Sequence, residues 1–560
     1  MSVTLLLAAL LAGNRPVGAP FATRSEVWAP TAMVASSHPL ATQIGLEVMR
    51  QGGNALDAAI AANAALTLME PTGCGLGGDL FALVWDPKTR RLHGYNGSGR
   101  SPRSLTLARL RAMGLSAIPS RGPLPVTVPG VVEAWFALHA RFGRKPMAEL
   151  LAPTIRYARE GHPVPEVIAD AWARSVPLLE RFPGFREQFT LDGRAPRKGE
   201  RWRNPNLART LERIAEGGAE AFYRGEIAER IVAYLREQGG FLELEDLAAH
   251  RGEWVEPLSA EYRGVRVWQL PPNGQGATTL LMLNILEHFD FTRIPFGSAE
   301  HVHLFVEAKK LAFEYRARHF ADPAFAALPV AALLEEGLAR ELARRIDRER
   351  ALLAFTPDPL PLATGDTVYL ATADGEGRMV SLIQSNFRGM GSGMAPPGLG
   401  FVLQNRGEQF VLREDHANAY APGKRPFHTI MPGFLTRGGE PWVAFGVMAG
   451  DMQPQGQAQI VMNLVDFGMS LQEAGDAPRI HHGGSTEPAG QAEAMADGGE
   501  LHLEPGFAET TVRELLRRGH RIVAAPAAVF GGYQAILRDP ETGAYAGASE
   551  SRKDGQAAGF

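Results

Sequence analysis

The chain has 560 residues, too many for one hydrophobic core at a norm of about 150 residues per domain. Its 57 Lys and Arg against 61 Asp and Glu give a net charge of −4, which excludes a strongly basic nucleic-acid face. A single cysteine excludes an internal disulfide framework and any zinc site made of cysteine alone. Glycine is in excess, with 62 residues, and the question is where it sits.

At the N-terminus, TLLLAALLA (4–12) is as apolar as a signal h-region, but no run reaches the roughly 18 residues of a spanning helix. The leading MSV carries no basic residue and the cleavage signal downstream is poor. Residues 1–19 read as a signal-like or disordered extension, with the folded part starting near Pro20. A cytoplasmic location is favoured, and a secreted or periplasmic one follows if 1–19 act as a signal.

Residues 40–70 are Ala-rich and read as helix, interrupted at Gly52-Gly53-Asn54 by a C-cap and a new N-terminus. Leu80 to Trp85 is a buried-strand candidate. Residues 104–250 are mostly helical in pattern, broken by VPG (128–130) and RFPGF (181–185). A long helix is expected over 299–321, with Leu304, Ala308, Leu311 and Tyr315 on one stripe, and 334–350 reads as a solvated helical face. FTPDPLPLATGD (355–366) reads as an exposed linker. A hairpin follows: strand 367–373, turn 374–377, strand 378–387. Residues 483–499 read as a polar, small-residue loop. Alternating helices and strands with late hairpins imply a layered α/β or α+β fold.

Three motifs have ordinary readings. Gly73-Cys74-Gly75-Leu76-Gly77-Gly78 matches GxGxxG. A dinucleotide site needs a strand before it and a helix after it, and the order here is the reverse. Close backbone approach or positive φ explains these glycines better. Cys74 could be a thiol nucleophile but is more simply a small buried hydrophobe. His481 and His482 would point to opposite faces of an extended segment, so they do not share an ion easily. There is no P-loop. No metal and no cofactor is expected.

Thr367 stands just after the linker, at the first residue of a strand, preceded by Gly365-Asp366. A cut between Asp366 and Thr367 would give it a hydroxyl and a free α-amine, the amine serving as base for the hydroxyl. From spacing alone, an ordinary strand threonine is the favoured reading.

A resemblance decides between them. MVASSHPLATQIGLEVMRQGGNALDAAIAANAAL with GCGLGGDLFALVW, then VPGVVEAW (128–135), HLFVEAKKLAFEYRARHFADP (303–323), DAPRIHH (476–482) and GYQAILRDPETGAYAGASESR (532–552) stand in order along the chain. Together they resemble the gamma-glutamyltransferase (gamma-glutamyltranspeptidase) family of N-terminal nucleophile hydrolases, specifically members with a short lid loop. The resemblance implies a four-layer αββα sandwich built jointly by a large subunit (20–366) and a small subunit (367–560). It implies autocleavage at Asp366-Thr367, with Thr367 as nucleophile, and γ-glutamyl transfer from glutathione to water, amino acids or peptides.

By position, Ser385 would hydrogen-bond the nucleophile. Ala449-Gly450 would supply the oxyanion N–H groups, each such donor being worth about 3–4 kcal/mol in the barrier. Arg100, or failing it Arg103, would pair the substrate carboxylate. Asn405 would lie on the substrate side. Gln409 stands where the family has an aspartate for the α-amino group, and His428-Thr429 where it often has Ser-Ser. The loop from Phe410 to Lys424 is short, which implies a more open site. A cephalosporin or glutaryl acylase, or a poly-γ-glutamate hydrolase, is the alternative. A non-enzymatic binding protein is the remaining one.

Overall fold

The structure is a computed structural model that describes residues 17–327, 330–354, 366–490 and 495–560, except for the side chains of Asp366 and Thr367. The linker expected over 355–366 lies outside the described residues up to position 365.

The interruption at Gly52-Gly53-Asn54 separates two helices, Pro39–Arg50 and Ala55–Met69. Asn54 caps the second, with Asp57 closing a capping box back onto the Asn54 N–H, an arrangement typically worth about 1 kcal/mol. Every residue of Ala55–Met69 is buried. A uniformly apolar helix has no solvent face to offer.

Two seven-stranded sheets carry the fold, and all their strand pairs are antiparallel. The first runs Gln556–Gly559, Met33–Ser36, Asp366–Ala373, Met379–Phe387, Asp79–Asp86, Arg91–Asn96, Glu253–Val255. The second runs Val27–Ala29, Tyr545–Ser549, Tyr533–Arg538, Glu440–Val447, Gly433–Arg437, Val265–Gln269, Leu258–Tyr262. Three cores separate four layers. Helices Pro39–Arg50 and Ala55–Met69 pack on the outer face of the first sheet. Helices Gly276–Leu286, Ala299–His319 and Met452–Val465 pack outside the second. Between the sheets lie Phe81, Leu83, Tyr369, Ile383, Phe434, Ala444 and Ile536. The expected sandwich is present, and both halves of the chain contribute strands to each sheet.

Two elements differ from the reading of the sequence. Helix Ala299–His319 is buried on nearly every side, charged residues included, because it is covered by other helices and by the 484–490 segment. The one-stripe pattern underestimates it. The segment after Gly483 is polar but not solvated. Ser485, Thr486 and Glu487 are buried, with Glu487 paired to Arg316. Residues 491–494 of that segment lie outside the described residues. No described helix is long and apolar enough to cross a membrane.

The glycine-rich loop 73–78 runs from helix to strand, as its order demands. Gly77 and Gly78 do not have positive φ. A Cβ on Gly77 would stand 2.2 Å from the Val402 carbonyl oxygen, and one on Gly78 would stand 2.5 Å from that of Ser385. Gly77→Ala should therefore lower the thermal midpoint sharply, by the equivalent of about 3 kcal/mol or more. Gly337→Ala, in an exposed helical position with open space around it, should raise stability by about 0.5 kcal/mol. Equal midpoints for the two variants would contradict this account.

Candidate active site

Strand Asp366–Ala373 is flanked by Met33–Ser36 and Met379–Phe387. Asp366 pairs with Phe387 and Val368 with Gln384, and the register slips between them. Two residues, Ser385 and Asn386, therefore stand opposite the single Thr367, as in a β-bulge. Ser385 is buried, and its Oγ accepts the Phe387 N–H at 2.7 Å. Phe387 has φ 78°, a left-handed conformation that costs an aromatic residue energy and recurs at functional sites. The loop 73–78 supports this segment from behind. Gln384 Nε2 donates to the Gly75 carbonyl at 2.7 Å, and the Asn386 N–H to that of Gly73 at 3.0 Å.

The second sheet approaches the same strand. Gly446 lies against the Tyr369 ring, where a Cβ would be 2.4 Å from a ring carbon. Three residues on, Ala449 and Gly450 have φ 79° and 45° and lead into helix Met452–Val465. Among the described residues neither of their N–H groups finds an acceptor, while their carbonyls take the Met452 and Gln453 N–H groups. Free N–H groups before a helix N-terminus suit an anionic oxygen. Gln275 holds the loop: its Nε2 donates to the Gly450 carbonyl at 2.9 Å and to that of Thr429 at 2.6 Å.

Thr429 leads to a charged group that the sequence does not single out. Its Oγ1 accepts from Arg406 Nη1 at 2.8 Å, and Gln409 Oε1 accepts from the same nitrogen at 3.1 Å. Arg406 is fully buried, and its guanidinium carbon lies 4.3 Å from the centre of the Phe387 ring. Burial pushes its pKa down to about 9. Asp79, whose backbone pairs with Ser385, is the nearby acid. Its carboxylate accepts from the Gly99 N–H at 2.9 Å and from Gln404 Nε2 at 3.0 Å. His428 Nε2 lies 3.0 Å from the other oxygen, and its Nδ1 accepts the Ile430 N–H. An accepting Nδ1 leaves the proton on Nε2, so the ring donates to Asp79. Burial and the charge of Arg406 hold His428 well below its ordinary pKa. Burial pushes Asp79 up to about 7, against the opposing pull of Arg406 and its hydrogen bonds.

A profile of the gamma-glutamyltranspeptidase family matches residues 41–560. The chain belongs to this family. It is 40% identical to the glutathione hydrolase-like YwrD proenzyme of Bacillus subtilis, over 94% of this chain and 98% of that one. It is 36% identical to the oxamate amidohydrolase proenzyme of Klebsiella pneumoniae, over 94% and 98%. The crystal structure of a cephalosporin acylase from Bacillus halodurans superposes with a TM-score of 0.89 at 45% identity, covering 98% of both chains. The protein is thus an enzyme of the gamma-glutamyltranspeptidase branch of the N-terminal nucleophile hydrolases.

Within this gamma-glutamyltranspeptidase site the expected residues divide. Ser385, Gln409, His428 and Thr429 come together, with Ala449-Gly450 joined to them through Gln275. Asn405 is adjacent, but its side chain is engaged with the Ser120 carbonyl, the Arg388 N–H and Glu408. The structure does not bring Arg100 and Arg103 into this group. Arg100 faces Glu253 at 3.0 Å, the Gly423 carbonyl at 3.2 Å and Asp322 at 3.4 Å. Arg103 is largely exposed, 3.9 Å from Asp246. The short loop also does not leave the described residues of the site open. Phe410, Leu412 and Tyr420 are buried in a small core with Leu105, Leu110 and Ile118, and Gln409, His428 and Thr429 stay buried. Arg406, Asp79 and Gln275 were missed. Asp79 lies inside the GCGLGGDLFALVW block and Arg406 between Asn405 and Gln409, whereas Gln275 carries no local signal.

Cys74 is buried, its sulfur 3.6 Å from the Glu70 carbonyl. His482 contacts Lys309 and the Gly498 carbonyl, whereas His481 stacks on His502. Among the described residues one trio, His303, Glu307 and His520, has metal-compatible spacing. Its two histidines bond each other at 2.8 Å, His303 also bonds the Asp347 carbonyl, and Glu307 takes Lys310 and the Leu352 N–H.

Removing the Asp79 acceptor should be costly. Asp79→Ala strands three buried donors and should cost about 3–5 kcal/mol, read by denaturant unfolding. Asp79 also links stability to pH. The folded chain holds its proton up to about 7, against 3.8 for the free group, so this group's contribution to stability falls as pH rises across that window. Asp79→Asn has no proton to lose, and its stability should show a flatter pH slope over the same range. An unchanged slope would remove Asp79 as the source.

Proposed function

We propose that the chain is a self-processing threonine amidohydrolase whose acyl donors carry a carboxylate on the acyl half. The observation that carries this reading is the register that sets Thr367 at the head of a central strand, opposite Ser385, with Ala449-Gly450 beyond Gly446. Thr367 Oγ attacks the Asp366 carbonyl carbon, and the Thr367 nitrogen leaves with the hydroxyl proton. The resulting ester is hydrolysed, giving chains 1–366 and 367–560. The freed α-amine then serves as base for the same hydroxyl. Oγ attacks the substrate amide, and the tetrahedral oxyanion takes the two N–H groups. The amine half leaves with a proton, and water releases the acid from the threonine ester. Ser385 holds the nucleophile.

Family membership supports γ-glutamyl amides such as glutathione as donors, with water and then amino acids or peptides as acceptors. A specific observation favours a second class. Gln409 is neutral, and its oxygen is occupied by Arg406, so it offers an α-ammonium no charge. The oxamate name among the relatives points to an acyl group without that ammonium. Glutaryl-type amides fit this better than γ-glutamyl ones.

A denaturing gel with N-terminal sequencing tests the mechanism. A small fragment beginning Thr-Val-Tyr-Leu is expected, and Thr367→Ala should stay intact and inactive. An intact, equally active Thr367→Ala chain would overturn the mechanism, and an intact wild type with no amidase activity would favour a binding protein. For the donor, glutaryl-p-nitroanilide should exceed γ-glutamyl-p-nitroanilide in kcat/KM by about 10-fold or more, the worth of one unpaired charged group. The reverse order would restore γ-glutamyl specificity.

A further inference from the structure

Arg406 is held by one nitrogen, and the opposite edge of its guanidinium has no partner among the described residues. Nη1 donates to Thr429 Oγ1 at 2.8 Å and to Gln409 Oε1 at 3.1 Å, which uses both of its hydrogens. Among the described residues Nε and Nη2 have no hydrogen-bond partner, and neither has Gln409 Nε2. Arg406 is 0% and Gln409 1% exposed. Three unpartnered donors in a buried cluster are expensive unless a ligand takes them. Nε and Nη2 form the side-on fork of a guanidinium, whose two parallel N–H groups match the two oxygens of a carboxylate.

The neighbours fix this fork and leave its charge unspent. The Phe387 ring lies under it at 4.3 Å, and Phe387 is the partner of Asp366 across the strand pair. Thr429 ties it through Gln275 to Gly450. Both tethers lead to the two ends of the proposed reaction site. Glu408 does not neutralise Arg406, because both its oxygens are bonded to Arg388 Nε, at 2.8 and 3.0 Å. Asp79 is turned to Gly99, Gln404 and His428. The site thus holds a pre-oriented cation that is unpaired among the described residues.

Building on the proposed amidase reading, we propose that Arg406 Nε and Nη2, with Gln409 Nε2, bind the free carboxylate of the acyl donor and select dicarboxylic monoamides over neutral acyl amides. The carboxylate anchor is thereby supplied by the 405–409 turn, next to the nucleophile strand, and not by Arg100 or Arg103.

The test compares glutaryl-p-nitroanilide with pentanoyl-p-nitroanilide, in which a methyl group replaces the carboxylate. The wild-type ratio of kcat/KM should be about 100-fold or more in favour of glutaryl, as expected for a buried bidentate ion pair. Arg406→Met should bring the ratio to within about 5-fold of unity, and Arg406→Lys should restore only part of it, since a point charge lacks the fork. Self-cleavage on a gel reports independently on folding and on the nucleophile. Gln409→Asp is the second variant, for the case in which Arg406→Met does not fold. Its new carboxylate should pair with Arg406 and weaken competitive inhibition by free glutarate by about 10-fold or more. A wild-type enzyme that cleaves itself and both anilides at similar kcat/KM would overturn the carboxylate anchor and leave the amidase reading standing. So would an unchanged ratio in a folded Arg406→Met enzyme. If neither anilide is cleaved, the amidase reading fails first. Calorimetric titration of glutarate into wild type and Arg406→Met then decides the anchor alone: binding lost only in the variant supports it, and no binding to wild type overturns it.

Discussion

The whole arrangement depends on how one strand is held. Asp366–Ala373 is the third of seven strands in its sheet, hydrogen-bonded on both edges and covered on both faces. Val368 to Ala373 pair with Gln384 to Met379 on one edge and Leu370 to Ala373 with Ser36 to Met33 on the other, which anchors the strand just behind its head. The bulge against Ser385 and Asn386 takes up the extra residue there, and a bulge re-aims side chains at a point where regular pairing would lock them. A peptide bond at the head of such a strand is fixed in place but is not inside the regular ladder. That is the condition for a scission which leaves the new terminus in position.

Glycine makes this possible, in two different ways. Gly77, Gly78 and Gly446 have unremarkable φ values, and their role is closeness: each lets another backbone or ring come within a distance that a Cβ forbids. They bring the 73–78 loop and the second sheet against the hairpin of Asp366–Ala373 and Met379–Phe387. Gly389, Gly391, Gly393 and Gly450 have positive φ and serve the turns beside the same strand. Ala449 takes such a φ without being glycine, which costs about 1 kcal/mol or more. That strain turns the 449–450 N–H groups away from internal acceptors. This part of the glycine excess is a packing and turn requirement around one site.

Much of the architecture could be read from the sequence because it is written locally. The hairpin shows itself through alternation and a turn, and the two Ala-rich helices through an Asn cap after paired glycines. The charged burial could not be read so. Helix Ala299–His319 looks amphipathic on one stripe, yet Lys309, Lys310, Glu314 and Arg316 are all buried because partners from distant segments meet them. His428 and Asp79 are 349 residues apart in the chain, and nothing local in either signals the other. Arg100 looked suitable because it is an arginine in the expected neighbourhood, but nearby acids claim it. Arg406 passed unnoticed beside Asn405, because what distinguishes it is the absence of a partner, and only a three-dimensional arrangement can show that.

The electrostatics of the site follow from this accounting of partners. His428 is neutral, Glu408 is neutralised by Arg388, and Asp79 accepts from three donors and holds its proton toward neutral pH. Arg406 is the charge left over. A buried cation without a counter-ion among the described residues is unfavourable, and its depressed pKa expresses the cost of burial. An anionic acyl group removes the cost on binding, whereas a zwitterionic one must also bury an ammonium for which this cluster keeps no unpaired carboxylate. Gln409 sits at the centre of the distinction. As an amide it pins Arg406 with its oxygen and offers its nitrogen outward, and an aspartate in its place would quench the same guanidinium. One side chain therefore determines whether the neighbouring arginine is a structural ion pair or a free anchor.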